Sequence, residues 1–242
     1  TLDGDDGEDS LDGGAGNDSL RAFNDNDTLF GGDGADTLRG DNGEDFLDGG
    51  LGSDSLDGGS DNDTITDGTD SSTDTLLGGS GNDSLVASDG NDSLFGSSGD
   101  DIMFGGADND TLVSDSGTDT LDGGAGDDLF LQTAQTTLLV IDGDGADTLQ
   151  LATSSLTGAS RSGDDLVLQQ PSSTTTVQNQ FVSGNEIETF IVGAGGDTLT
   201  FNSGTLGGAG NELFVGDDSL GDTNAGGGGN DLMFGGAGND AA

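Results

Sequence analysis

Apolar side chains are sparse in this chain and regularly spaced. Leu11, Leu20, Leu29, Leu38, Leu47, Leu56 and Ile65 stand nine residues apart; after one interval of eleven the series resumes at Leu76 and continues through Leu85, Leu94, Met103, Leu112, Leu121 and Phe130. A fixed short period is settled before any other reading of a fold. If the nine places of the unit are numbered so that this residue is eighth, place seven is mostly Ser or Thr, as in SLR, TLF, TIT and SLV. Place one is glycine in ten of fourteen units between Gly4 and Leu131, and place two is glycine nearly as often. Such residues tolerate the tight or left-handed backbone of a turn. Places seven to nine are expected to form very short strands whose middle side chain alone points inward. Strands of that length cannot stand alone and must pair with equivalent strands of neighbouring turns. The pattern therefore predicts an all-β parallel coil in which two nonapeptides make one circuit and two sheets face each other.

Composition alone gives a different answer. The 242 residues are only 29% hydrophobic and carry a formal charge of -45, which reads as a disordered acidic chain. Cysteine, histidine and lysine are absent, so no disulfide or thiolate metal site exists, and Arg21, Arg39 and Arg161 are the three cations. Nucleic acid, which is bound largely through Lys and Arg, is excluded as a partner, and anionic membrane surfaces are disfavoured. No run of about 18 apolar residues predicts a membrane span, and no secretory leader opens the chain. Thr1, Leu2 and Asp3 fit places seven to nine of an earlier unit, so the chain is expected to be a piece of a longer repeat protein.

The acidic residues keep the same time as the leucines. Place six is aspartate throughout: Asp9, Asp18, Asp27, Asp36, Asp45, Asp54 and Asp63, then Asp74, Asp83, Asp92, Asp101, Asp110, Asp119 and Asp128. Two such charges about 5 Å apart repel by roughly 1 kcal/mol in water and by several times that near a protein surface. Against a typical stability of about 5 to 15 kcal/mol, an uncompensated ladder would prevent folding. A hard divalent cation resolves the conflict, because a glycine-rich turn offers carbonyls and the following aspartate a carboxylate. Calcium accepts six to eight such oxygens in a tolerant geometry, whereas magnesium demands a stricter octahedron. The expected cofactor is calcium, as multiple ions.

GGAGNDSLR, GGDGADTLR, GGSGNDSLV and GGAGDDLFL, read as GGxGxDxLx, resemble the nonapeptide of RTX, or haemolysin-type calcium-binding, proteins. The resemblance covers residues 1–131 and returns at the C-terminus. It implies a calcium-bound parallel β-roll in which each ion lies between turns, held by backbone carbonyls and the sixth-place aspartates of two units on the same side. Carried over, Asp9 pairs with Asp27 and Asp18 with Asp36, and so on up the ladder. Departures occur at Ala22 and Phe23 in place of the paired glycines, at Asp25, Asp61 and Asp108 in place of the fourth-place glycine, and in the eleven-residue unit Asp67–Leu77. These read as tolerated turn variants, with weakened or missing ions as the alternative.

After Leu131 the phase breaks. Residues 132–206 read as a β-rich spacer or capping sheet, with strands expected in TTLLVID, DTLQL, DDLVLQ, TTTVQNQFV, EIETFIV and DTLTF. A degenerate unit places Asp147 in the metal position, and VGAGGDTLT does the same for Asp197. Residues 207–242 form a second short repeat block, in which Asp231 and Asp240 are candidates and Glu212 takes the metal place once.

The function expected is a non-catalytic calcium-binding module that folds when calcium is present, in an exported or cell-surface bacterial protein. One alternative is a surface-layer or adhesin element whose partners are other copies of itself or cell-surface polysaccharide. Another is the C-terminal module of a secreted toxin or hydrolase. An apolar ninth-place series, Leu77, Val86, Phe95, Phe104 and Val113, suggests an outward contact patch. Carboxylate pairs could serve glycoside hydrolysis, but among 48 acidic residues such pairs are inevitable and their phase is accounted for by metal. No catalytic residue is assigned.

Overall fold

The computed structural model describes residues 1–151 apart from 135, 142–144 and 146, and beyond them the strands within 158–162, 165–169, 174–178, 187–192, 197–201, 211–215 and 232–234. Among these residues the chain is all-β, with no helix. Successive strands alternate between two sheets. Leu2–Asp6, Ser19–Asn24 and Thr37–Asn42 lie side by side in one, and Ser10–Ala15, Thr28–Asp33 and Phe46–Leu51 in the other. Pairing is parallel with a register step of eighteen, Leu2 against Leu20 and Leu11 against Leu29. Two nonapeptides therefore complete one circuit, the geometry of a β-roll.

The strands are longer than the three residues expected. Ser10–Ala15, Thr37–Asn42 and Ser93–Ser98 each run from place seven through place three, leaving only places four to six as the bend. The physical reason is that paired glycines continue the ladder, as Gly14 does opposite Gly32 and Gly50 opposite Gly68. Strand side chains alternate with period two, so places six, eight and one share the inner face. Within places seven to nine the eighth residue alone points inward, as expected, and the longer strand adds places six and one to that face. Leu29, Leu38, Leu47, Ile65, Leu94 and Met103 are 0% exposed and form one continuous core between the sheets.

The eleven-residue unit is absorbed without loss of register. Leu56 pairs with Leu76 and Ile65 with Leu85, both at a step of twenty. The extra residues are accommodated in the bend at residues 69–74. Past Leu131 the coil continues through Thr137–Ile141 and Asp147–Leu151, which pair in parallel with Thr118–Ala125 and Leu129–Gln132. Strands also appear at Asp165–Gln169, Thr174–Gln178, Ile187–Val192 and Asp197–Phe201, where the sequence suggests them. An additional one, Gly158–Ser162, pairs antiparallel with Asp165–Gln169. Asn211–Val215 and Leu232–Phe234 return to parallel pairing.

The five-residue apolar series at place nine does not make one patch. Alternation of the sheets puts Leu77, Phe95 and Val113 on one outer face and Val86 and Phe104 on the other. Val113 is buried at 6%, whereas Val86 and Phe104 are 37% and 39% exposed. Among the described residues no helix is long and apolar enough to cross a membrane.

Candidate metal centre

Each sixth-place aspartate sits where the bend re-enters the strand, and the two-residue alternation turns its side chain inward beside the eighth-place apolar residue. From Asp27 to Asp147 these aspartates are only 1–4% exposed, as deeply buried as the leucines. Asp9 and Asp18, the first of each column, are half-buried. The inner face of most strands is thus one carboxylate, one apolar residue and one glycine. Glycine at place one follows from close approach: a Cβ added at Gly49 would lie 2.5 Å from Oδ2 of Asp54.

The aspartates form two columns, one for each bend. In each, Oδ1 accepts the backbone N–H of the aspartate one circuit earlier: Asp9 N to Asp27 at 2.7 Å, Asp18 N to Asp36 at 2.7 Å, Asp27 N to Asp45 at 2.8 Å and Asp45 N to Asp63 at 2.8 Å. Both ladders cross the long unit: one runs from Asp54 N to Asp74 and on through Asp92, Asp110 and Asp128 to Asp147, the other from Asp63 N to Asp83 and on through Asp101 to Asp119. The structure thus brings together the aspartates eighteen apart and separates sequence neighbours such as Asp36 and Asp45 into opposite columns.

The second oxygen is what gives the columns their chemistry. Oδ2 of Asp9, Asp27, Asp36, Asp45, Asp54, Asp63, Asp83, Asp92, Asp101, Asp110 and Asp128 is buried and accepts no hydrogen bond. Buried acceptors are nearly always satisfied, and an orphaned one costs about 1–3 kcal/mol, more when charged. A rank of orphaned carboxylate oxygens beside glycine bends, with no lysine or histidine in the chain, fits a hard oxygen-seeking cation. Burial pushes the Asp63 carboxyl up to about 8, with the Asp83 and Asp45 carboxylates adding to the rise against the Asp45 N–H that lowers it. By the same cause Asp54 and Asp110 rise to about 7. Asp45, Asp101 and Asp128 rise to about 6.

Asp18, Asp74 and Asp119 do not show this orphaned oxygen. The Ser114 hydroxyl, at place one, donates to Oδ2 of Asp119 at 2.5 Å. The turn departures keep the backbone of the glycines they replace: Phe23, Asp25, Asp61 and Asp108 have φ of 85°, 74°, 78° and 71°. Phe23 is held there under the Arg21 guanidinium, 4.0 Å from the ring centre.

Sequence reasoning missed an outer ladder at place five. Asn17, Asn26, Asn62, Asn82 and Asn91 each accept, through Oδ1, the N–H of the fifth-place residue one circuit later. Asparagine recurring beside the metal place was the available signal. Asp67 was also missed as a carboxylate beside the sixth-place Asp74 and Asp92; it is buried at 3% exposure. Asp197 opens a strand that pairs antiparallel with Ile187–Val192, unlike the parallel setting of the columns. Asp231 and Asp240 lie outside the described residues.

A family model described as the RTX calcium-binding nonapeptide repeat, in four copies, matches residues 3–38, 30–65, 68–103, 77–112 and 95–130, and again 222–241. No curated protein gives a significant match to the chain.

Proposed function

Because the chain belongs to the RTX calcium-binding nonapeptide repeat family, whose repeats bind several calcium ions per block, we propose that it is a non-catalytic module of an exported or cell-surface bacterial protein that folds on binding calcium. The observation that carries this reading is the rank of buried Oδ2 atoms without hydrogen bonds. Their burial is compatible with a folded roll when cations sit between the carboxylates of successive circuits. The sixth-place aspartates of each column are the proposed side-chain ligands, with turn carbonyls completing the shell. Where calcium is scarce the chain is unfolded and can be threaded through an export channel; where it is plentiful the chain folds and stays. The roll over 1–131, the β-rich spacer over 132–206 and the repeat block over 207–242 are parts of this reading.

A calcium titration followed by far-ultraviolet circular dichroism tests it. The chain should be disordered at submicromolar free calcium, become β-rich at millimolar calcium, and respond much less to equal magnesium. A β-rich spectrum in chelator sinks the proposal.

One observation favours the reading as an assembly element on a cell surface. Val86 and Phe104 are paired neighbours on an outer face, and Ile102, 44% exposed, lies on the same strand as Phe104. An apolar rank on an otherwise acidic roll suits contact with further copies or with polysaccharide rings.

A further inference from the structure

The long unit Asp67–Leu77 contains the one group of three carboxylates, among the described residues, whose oxygens could share an ion. At place one, where ten units carry glycine, it carries Asp67. Asp67 is 3% exposed, Asp74 1% and Asp92 1%. One oxygen from each lies within 4.8 Å of the other two. Calcium binds oxygen at about 2.3–2.6 Å, so ligands on opposite sides of one ion stand about 4.6–5.2 Å apart, and all three oxygens can reach it.

Partners already account for part of this set. Asp67 Oδ2 accepts the Ser88 N–H at 3.1 Å, Asp74 Oδ1 accepts that of Asp54 at 2.6 Å, and Asp92 Oδ1 accepts that of Asp74 at 2.8 Å. Asp67 Oδ1 and Asp92 Oδ2 are buried and accept none. Nearby Asp70 is taken up in shaping the long bend, its carboxylate accepting the N–H groups of Gly52 and Ser72. Three carboxylates so close and so buried, with no basic side chain to pair them, repel each other strongly unless a cation lies among them.

We propose that Asp67, Asp74 and Asp92 form a three-carboxylate cation site, distinct from the two-carboxylate sites of the repeats, and that it holds the most tightly bound ion of the roll. The inference rests on the calcium-binding reading. The unit that carries an aspartate at place one is also the one lengthened by two residues. Its extra negative charge gives the site a preference for cations of higher charge, so a trivalent lanthanide displaces calcium here before it does so elsewhere.

The full chain, folded in excess calcium, is titrated with terbium. The ion is excited directly, since the chain has no Trp or Tyr to sensitise it. The wild type should show one tight equivalent of terbium ahead of the rest. Asp67→Asn should weaken that equivalent at least tenfold while the circular dichroism in calcium stays unchanged. Asp67→Gly, which installs the residue most units carry, should do the same in a roll that folds. Equal first equivalents in wild type and both variants overturn the site. A wild type that fails to fold with calcium overturns the family reading instead, and the two failures are read from different signals.

Discussion

Gly49 shows how little room the metal position leaves. A Cβ there would approach Asp54 Oδ2 to 2.5 Å and its Cβ to 3.1 Å, so it is the carboxylate that must give way. The roll itself can adapt, because Ala22 and Ala87 already occupy place one, exposed 0% and 4%. Gly49→Ala should therefore keep the β-rich spectrum at saturating calcium but raise the calcium midpoint by about fivefold, the equivalent of roughly 1 kcal/mol. A circular dichroism titration checks this, and an unchanged midpoint would mean that Asp54 contributes little to binding. The place of the aspartates was legible in the sequence from their phase with leucine. Their burial was not, because a strand limited to places seven to nine leaves place six in the turn. Places six, eight and one share one parity of an extended strand, a signal that emerges once the strand is known to run through the glycines. Asp67 was passed over for a related reason, since an aspartate in a glycine place reads as a turn variant until its neighbours are located.

Strand pairing turns sequence spacing into coupling between sites. A single-nonapeptide circuit would have put Asp45 beside Asp36 and Asp54. In the structure Asp27 N and Asp45 N donate along one column to Asp45 and Asp63, while Asp36 N donates to Asp54 in the other. Groups that share a partner combine non-additively, whereas groups without one combine nearly additively. Asp45→Ala with Asp63→Ala should raise the calcium midpoint by clearly less than the sum of the single effects, since both damage one shared ion. Asp45→Ala with Asp54→Ala should come closer to the sum. Midpoints for wild type, singles and doubles decide it, and stronger coupling in the 45/54 pair would contradict ion sharing along the columns. The two-unit circuit was readable because leucines nine apart can face a common core only from opposite sheets. The strand lengths were not, because glycine signals a turn in sequence while its backbone is free to continue a parallel ladder. The hairpin of Gly158–Ser162 with Asp165–Gln169 lies where the nine-residue phase has lapsed, which is why only its second strand was foreseen.

On the proposed reading, in which calcium sits on the buried carboxylates of the roll, protons and calcium compete for the same oxygens. Folding moves these groups from the ordinary carboxylate range up to about 6 for Asp45 and Asp101, about 7 for Asp54 and Asp110, and about 8 for Asp63. A group whose folded pKa is raised binds more protons folded than unfolded between the two values, so without metal the stability of the roll falls as pH rises through that window. The metal-free chain should therefore gain β-structure on acidification from pH 8 towards pH 5, as protons neutralise the columns. Calcium must displace those protons to bind, so proton release on binding should be largest near pH 5–6 and small above pH 8. In the folded chain, calcium affinity should correspondingly rise with pH across the same range. Circular dichroism of the chelated chain against pH, with calorimetry in buffers of different ionisation enthalpy to count released protons, measures both sides. A chelated chain equally disordered at pH 5 and pH 8, together with no proton release at pH 5.5, would show that the carboxylates enter the roll already ionised. On the same reading a chain of formal charge -45 forms a stable roll with a core of about one leucine-sized side chain per nonapeptide because cations complete the inner face, so that its strength is set by the surrounding calcium and pH rather than by apolar burial alone.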